Sequence, residues 1–250
     1  YSECAEGAAL TDGANLSGKL YLIPTPLGKD EITSVLPADV QRRLSTIRHF
    51  VVEHPKTARY FLKQINGLPP LASLELAELN EHTAAKMLPD LLLPLLNGWD
   101  VGLLSEAGCP AIADPGAALV RLAHQQNIQV VPLVGPSAIL LALMASGLNG
   151  QHFCFHGYLP VPQDERDQKI LQIEKRSRQE NETQIFIETP YRNLRLLEAL
   201  LCCCNAQTQL CLACNLTLTN EYVSTRTVGE WRQNSLPVIH KQPAVFLLQG

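Results

Sequence analysis

Residues 101–116, VGLLSEAGCPAIADPG, decide the fold class. After Asp100 the run to Leu104 is short, apolar and continuous, as expected of a strand buried on both faces. Gly108, Pro110, Pro115 and Gly116 punctuate the small-residue loop that follows, and residues 116–126 resume with helical spacing. Working outward, the same order recurs. Residues 19–24 form an apolar run that ends in a loop with Pro24, Pro26 and Gly28. Residues 39–44 read as helix and 47–53 as strand. Residues 57–65 read as helix, with Ala58, Phe61, Leu62 and Ile65 on one face. Residues 83–96 are a further helix that Pro89 and Pro94 interrupt. Residues 128–133 are strand and 137–146 helix. Strands alternating with helices predict a parallel sheet covered on both faces.

The character changes near Gly150. Residues 151–162 are aromatic and bear prolines. Residues 164–181 form a charged helix carrying Arg166, Lys169, Lys175, Arg176 and Arg178. Strands follow at 183–188, 209–218, 225–228 and 244–248, with a helix at 192–201. Fewer helices per strand predict a mixed α+β sheet. The expected organisation is a flexible tail at 1–18, an N-terminal α/β domain at 19–150 and a C-terminal α/β domain at 151–250, with the change between about 150 and 165.

The chain has 250 residues, enough for two such domains. Its 46% hydrophobic and 18% charged content excludes a disordered chain. A net charge of −4 excludes a basic nucleic-acid coat but not a local basic patch. The richest apolar stretches, 88–96 and 130–145, are broken by Pro94, Pro132, Gly135, Pro136 and Ser137, so no membrane span is expected. Residues 1–18 lack the pattern of a signal peptide. Eight cysteines include the consecutive Cys202, Cys203 and Cys204, which cannot form an ordinary disulfide framework, and the expected compartment is the reducing cytoplasm. Cys211 and Cys214 have zinc-ligand spacing, but they lie in a strand-like run with no turn between them. Buried small apolar residues are the favoured reading, and no metal is expected.

Three loops that follow apolar strands carry small residues: Pro24-Thr-Pro-Leu-Gly28, Ser105-Glu-Ala-Gly-Cys-Pro110 with Ala113-Asp-Pro-Gly116, and Val134-Gly-Pro-Ser-Ala138. Loops at the carboxyl ends of parallel strands form the ligand crevice of open α/β sheets, and small residues let the backbone approach a ligand. Simple turn chemistry explains one such loop; three at equivalent positions point to a ligand. Neither a phosphate-binding P-loop nor a dinucleotide glycine motif occurs. Lys29 is the sole cation beside the first loop, so a neutral or zwitterionic ligand fits best.

Four blocks carry a resemblance: LYLIPTPLGKDEIT (20–33), VGLLSEAGCPAIADPG (101–116), VVPLVGPSAILLALMASGL (130–148) and TQIFIETPYRNLRLLEAL (183–200). In this order they resemble the tetrapyrrole-methylase superfamily of S-adenosylmethionine-dependent methyltransferases, and within it the ribosomal RNA small-subunit methyltransferase I branch. The resemblance covers residues 19–248. It implies two α/β domains, S-adenosyl-L-methionine as cofactor in the cleft between them, and a homodimer. Carried over by position, it implies cofactor contacts at Leu27, Ala107, Gly108, Cys109, Ile112, Ser137, Ala138, Glu188, Leu216 and Ala244, mostly through backbone. Two blocks depart from the branch. Its Glu-Asp-Thr-Arg reads here as Val52-Glu-His-Pro-Lys-Thr-Ala-Arg59, with Glu53, Thr57 and Arg59 as a loose echo. Its Arg-Glu-Leu-Thr-Lys reads Cys214-Asn-Leu-Thr-Leu218, without the two cations.

Candidate acceptor-side residues follow. Glu53 and His54 end a strand, where they position an acceptor or act as base, or else form a solvated loop pair. Glu106 keeps the charge of the family's Asp and orients substrate. Arg59 echoes the branch block. Tyr191 and Arg192 could stack on or anchor a nucleobase or carboxylate; Arg192 also reads as a helix start. Asp114 reads as a turn residue, and residues 166–178 as a solvated face or an RNA phosphate contact. The expected function is methylation of an RNA ribose 2′-hydroxyl, with the small ribosomal subunit as partner. The alternatives are a tetrapyrrole or other small-molecule acceptor, and a non-catalytic cofactor-binding protein.

Overall fold

The computed structural model describes residues 17–28 and 32–250. The tail expected at 1–18 therefore lies almost wholly outside the described residues, as does Lys29. In chain order the first elements are β1 (Leu20–Ile23), α1 (Ile32–Val35), α2 (Ala38–Leu44), β2 (His49–Val52), α3 (Pro55–Leu62), β3 (Glu75–Glu78), α4 (Leu88–Leu91), α5 (Leu93–Leu96), β4 (Val101–Leu104), α6 (Gly116–Gln125), β5 (Val130–Pro132) and α7 (Ala138–Ser146). Then follow β6 (Phe153–Tyr158), α8 (Gln163–Glu180), β7 (Thr183–Ile187), α9 (Asn193–Cys203), β8 (Gln209–Cys214), β9 (Tyr222–Thr227), α10 (Val228–Gln233) and β10 (Ala244–Gln249).

Strands β1–β5 form one sheet in the order β3-β2-β4-β1-β5, and every pair is parallel. The central strand β4 is buried at all four positions, as its continuous apolar run requires. Gly102 has no room for a side chain: an added Cβ would stand 2.5 Å from Ile23 Cδ1 and 2.8 Å from Phe50 Cδ1. The helix expected over 83–96 is two short helices, α4 and α5, each with a proline in its first turn, because proline cannot continue a helix but can start one. β3 is an edge strand of sequence ELAE with both glutamates exposed. Its charged ends conceal it from a hydrophobicity pattern, and charge on an edge strand discourages pairing with other chains.

Strands β6–β10 form a second sheet in the order β6-β7-β10-β8-β9. The β6–β7 pair is parallel and the rest are antiparallel, so the sheet is mixed. The aromatic stretch 151–162 supplies β6, and the strand read at 209–218 ends at Cys214. Alternation along β10 divides the core. Ala244, Phe246 and Leu248 join α8, α9 and Trp231 on one face; Val245 and Leu247 join α7 on the other. Trp231 is buried, and its indole N–H donates to the Leu210 carbonyl at 2.8 Å. A Thr227–Glu230 capping box starts α10.

The fold is thus two α/β units, one with an all-parallel sheet and one with a mixed sheet. Their division does not follow chain order. Of the described residues, those up to Ile23, Asp39–Glu106 and Pro110–Leu133 make the first unit; those within Pro24–Ala38, with Ala107–Cys109 and Val134–Gly250, make the second. Among the described residues, no helix is long and apolar enough to cross a membrane.

Candidate functional site

Parts of the three small-residue loops, residues 24–28, 107–109 and 134–138, belong to the second unit. Thr25 and Gly108 pair through both backbone groups, N–H to carbonyl at 2.9 and 3.0 Å. Gly108 has φ +77°, a left-handed conformation that favours glycine. A Cβ there would meet Leu27 Cδ2 at 3.2 Å and the Pro136 carbonyl at 3.5 Å. The Cys109 thiol also lies 3.4 Å from the Pro136 carbonyl, and burial pushes that thiol's pKa up. Ser137 caps α7 by accepting from the Leu140 N–H at 3.5 Å. Leu27 and Ala138 pack with Leu216 in the α7-side cluster. The structure therefore brings Leu27, Gly108, Cys109, Ser137, Ala138 and Leu216 together, with Ala107 adjoining.

These loops have a chemical character. Among residues 24–28, 107–109 and 134–138 no side chain is charged. Small side chains, a glycine in left-handed backbone and an absence of cations suit S-adenosylmethionine, whose sulfonium is itself cationic. A nucleoside triphosphate would need positive charge.

Three further positions gather at one end of the mixed sheet. Ile187 faces Val245 and Ala244 faces Cys214 across the ladder, which sets Glu188, Ala244 and Leu216 at that end. Their side chains have different surroundings. Ala244 joins the α8/α9 cluster, on the opposite face from Leu216. The buried Glu188 carboxylate accepts from Arg192 Nε at 2.9 Å, Arg192 Nη2 at 2.7 Å and the Thr189 N–H at 2.6 Å. Arg192 also stands at the N-cap of α9. Tyr191 is 72% exposed, with the Lys241 ammonium 6.0 Å from its ring centroid. Two residues with no sequence signal stand out in the following loop. Asn215 and Thr217 have φ +52° and +72°; for a β-branched residue this is strained backbone. The Thr217 hydroxyl is buried without a hydrogen-bond partner in the structure.

The acceptor-side candidates assemble in the first unit. β2 and β4 are neighbours in register, Val52 facing Leu104, so Glu53 and the Ser105–Glu106 loop leave the sheet side by side. Thr57 ties them: its hydroxyl donates to the Glu106 carboxylate at 2.7 Å and lies 2.9 Å from the His54 carbonyl. Burial holds the Glu53 carboxyl above the usual carboxylate range; Glu106, Asp114 and Glu81 add to this, and His54 opposes it. His54 and Arg59 are exposed, as is Ile112 at 52%. Ile112 lies in the first unit. Asp114 is a turn residue: its Oδ1 accepts from the Ala111 and Gly116 N–H groups, each at 2.8 Å. Ala111 and Ala113 have φ +65° and +59°, so this loop stores strain that composition does not reveal.

Three cations of α8 have carboxylate partners or are buried. Arg166 is buried, Arg176 pairs with Glu182 at 3.0 Å, and Arg178 approaches Glu174 at 3.8 Å. Cys211 and Cys214 point to opposite faces of β8, one into each core cluster, so this pair cannot hold one metal ion. Among the described residues, no cluster of His, Cys, Asp and Glu could hold a metal.

A family model described as Tetrapyrrole (Corrin/Porphyrin) Methylases matches residues 19–231. The Ribosomal RNA small subunit methyltransferase I of Vibrio cholerae serotype O1 is 34% identical over 211 residues, 84% of this chain and 69% of the relative. The protein of that name from Escherichia coli O157:H7 is 34% identical over 218 residues, 86% of this chain and 71% of the relative. The crystal structure of the methyltransferase CobJ superposes with a TM-score of 0.62 at 18% identity, covering 94% of this chain and 95% of that one. That likeness carries the fold.

Proposed function

Since the chain belongs to the tetrapyrrole (corrin/porphyrin) methylase family and is an S-adenosylmethionine-dependent methyltransferase, we propose that its acceptor is an RNA ribose 2′-hydroxyl. When bound, the cofactor supplies an electrophilic methyl group. Leu27, Ala107, Gly108, Cys109, Ser137, Ala138 and Leu216 would hold it, with the backbone at Glu188 and Ala244 adjoining. Ile112 belongs to the same proposed set.

The observation that carries the hydroxyl acceptor is Glu53. A hydroxyl nucleophile gains from a base that removes its proton, and a general base works best when its pKa approaches the operating pH. Glu53 is raised by burial and by neighbouring carboxylates, while Thr57 fixes Glu106 beside it. In this reading Glu53 takes the proton and Glu106 orients the acceptor; His54, Arg59, Tyr191 and Arg192 contact the RNA. The relatives named for small-subunit rRNA support RNA over a tetrapyrrole.

A homodimer in the cytoplasm belongs to the same proposal. Helix α7 is apolar on every side, yet Leu140 and Met144 are 51% and 78% exposed. A helix of this composition is ordinarily covered, and a second copy would cover it. The deciding experiment offers tritiated S-adenosylmethionine with small ribosomal subunits, free rRNA and small tetrapyrroles. Label in RNA as alkali-resistant 2′-O-methyl supports the reading; label in the tetrapyrrole alone overturns it.

A further inference from the structure

The chain's basic residues are not equivalent. Three of the five cations along α8 are buried or paired with carboxylates, and Arg42 and Arg43 both pair with Asp39. Helix α3 differs. Lys56, Arg59 and Lys63 are exposed, and none has an ion pair among the described residues. Neither the helix nor its C-cap residue Lys63 carries a carboxylate.

Spacing puts them on one face. At about 100° per residue, Lys56, Arg59, Tyr60 and Lys63 fall within an arc of about 100°. Ala58, Phe61 and Leu62 occupy the opposite side and are buried. Lys63 keeps right-handed helical backbone, φ −58° and ψ −24°, so it stays on the outer face. Tyr60 stands among the three cations and is 61% exposed. From Lys56 to Lys63 the axis rises by about 10 Å at 1.5 Å per residue. Along it the three cations are spaced by about 4.5 and 6 Å.

We propose that the outer face of α3 is a docking track for an RNA strand, with Lys56, Arg59 and Lys63 on phosphates and Tyr60 stacked on a base. The proposal rests on the RNA reading above. Unpaired cations supply affinity without sequence preference, and an exposed aromatic among them is the element that single-stranded RNA recognition adds to charge. The track leads to the acceptor side: His54 caps the same helix, Thr57 in its first turn bonds Glu106, and Glu53 directly precedes the cap.

The test measures binding of a fluorescent single-stranded RNA and of free small-subunit rRNA across a salt series, with methyl transfer assayed in parallel. Lys56→Gln/Arg59→Gln/Lys63→Gln should weaken binding about tenfold or more near 0.1 M salt. The slope of log affinity against log salt should fall by about 2, at roughly 0.7 per lost phosphate contact on a single strand. Tyr60→Ala should weaken binding about fivefold or more with the slope retained. Lys56→Arg/Lys63→Arg should bind as wild type, and S-adenosylhomocysteine affinity should hold in every variant, reporting an intact fold. Unchanged RNA affinity and slope in the triple variant, with wild type binding and methylating RNA, would overturn the track and leave the RNA reading standing. Wild type that neither binds nor methylates RNA overturns both. Polyglutamate competing as well as RNA would assign the face to an acidic protein and overturn the track.

Discussion

The Thr57 hydroxyl donates to the Glu106 carboxylate at 2.7 Å, across 49 residues of sequence. This bond ties the first turn of α3 to the loop after β4, so that neighbouring strands present their carboxylates together. Thr57→Val keeps the shape and removes the donor. A hydrogen bond to a charged group is worth about 1.5–3 kcal/mol, less where exposed, so methyl transfer should slow about tenfold with cofactor affinity unchanged. Equal rates for the two enzymes would show that Glu106 needs no such tether.

Glu53→Gln should slow transfer by about 10²–10⁴-fold, the usual worth of a positioned base, and leave S-adenosylhomocysteine binding near wild type. The wild-type rate should rise with pH as Glu53 ionises, above the ordinary carboxylate range. Glu106→Gln removes a neighbouring negative charge and should move that limb to lower pH. A pH–rate profile insensitive to both substitutions would send the search for a base to the substrate itself.

The same raised pKa has a consequence for stability. The folded state holds the Glu53 proton more tightly than the unfolded chain does. Its contribution is complete below the unfolded carboxylate pKa and is lost as pH rises through the folded value. Ionised Glu53 is therefore a net cost at neutral pH, and Glu53→Gln should melt higher than wild type there, with the difference shrinking in acid. A lower melting temperature at neutral pH would contradict this sign.

Gly108→Val combines a strained left-handed φ with a branched side chain against Leu27 and the Pro136 carbonyl. Cofactor product at 100 times its dissociation constant should stabilise wild type by about 2.7 kcal/mol. The variant should lose most of that gain. An equal ligand-induced melting shift in both proteins would remove Gly108 from the cofactor site.

Arg192→Met leaves the buried Glu188 carboxylate with one backbone donor in place of three contacts. Stability should fall by about 1.5–3 kcal/mol, the scale of hydrogen bonds to a charged group, toward the lower end because Arg192 is itself partly exposed. Glu188→Gln/Arg192→Met should recover part of that loss, since no charge is then stranded. A double variant as unstable as the single one would mean that Arg192 acts through packing alone.

Periodicity and punctuation determined most of the fold. Apolar runs such as 101–104, each followed by a small-residue loop and a helix, left a parallel sheet as the natural solution, because their backbone polar groups and both faces must be buried together. The strands hidden from that logic were β3, whose glutamates lie on an exposed edge, and β6, whose aromatic residues resemble a linker. The adjacency of Glu53 and Glu106 was also legible, since the carboxyl ends of neighbouring parallel strands lie side by side in any such sheet. Side-chain partners were not, because they depend on distances that sequence does not encode. Glu188 and Arg192 read as ligand and anchor, and in the fold they bind each other. The cations of α8 read as a candidate RNA contact until Glu174, Glu182 and burial claimed three of them, while the shorter run on α3 kept its charge exposed. Thr57 became a partner of Glu106, and Ala111, Ala113 and Thr217 took left-handed backbone, only because the surrounding packing holds them there. Local sequence sets which elements form and which face they bury; which charges remain free is settled when those elements pack.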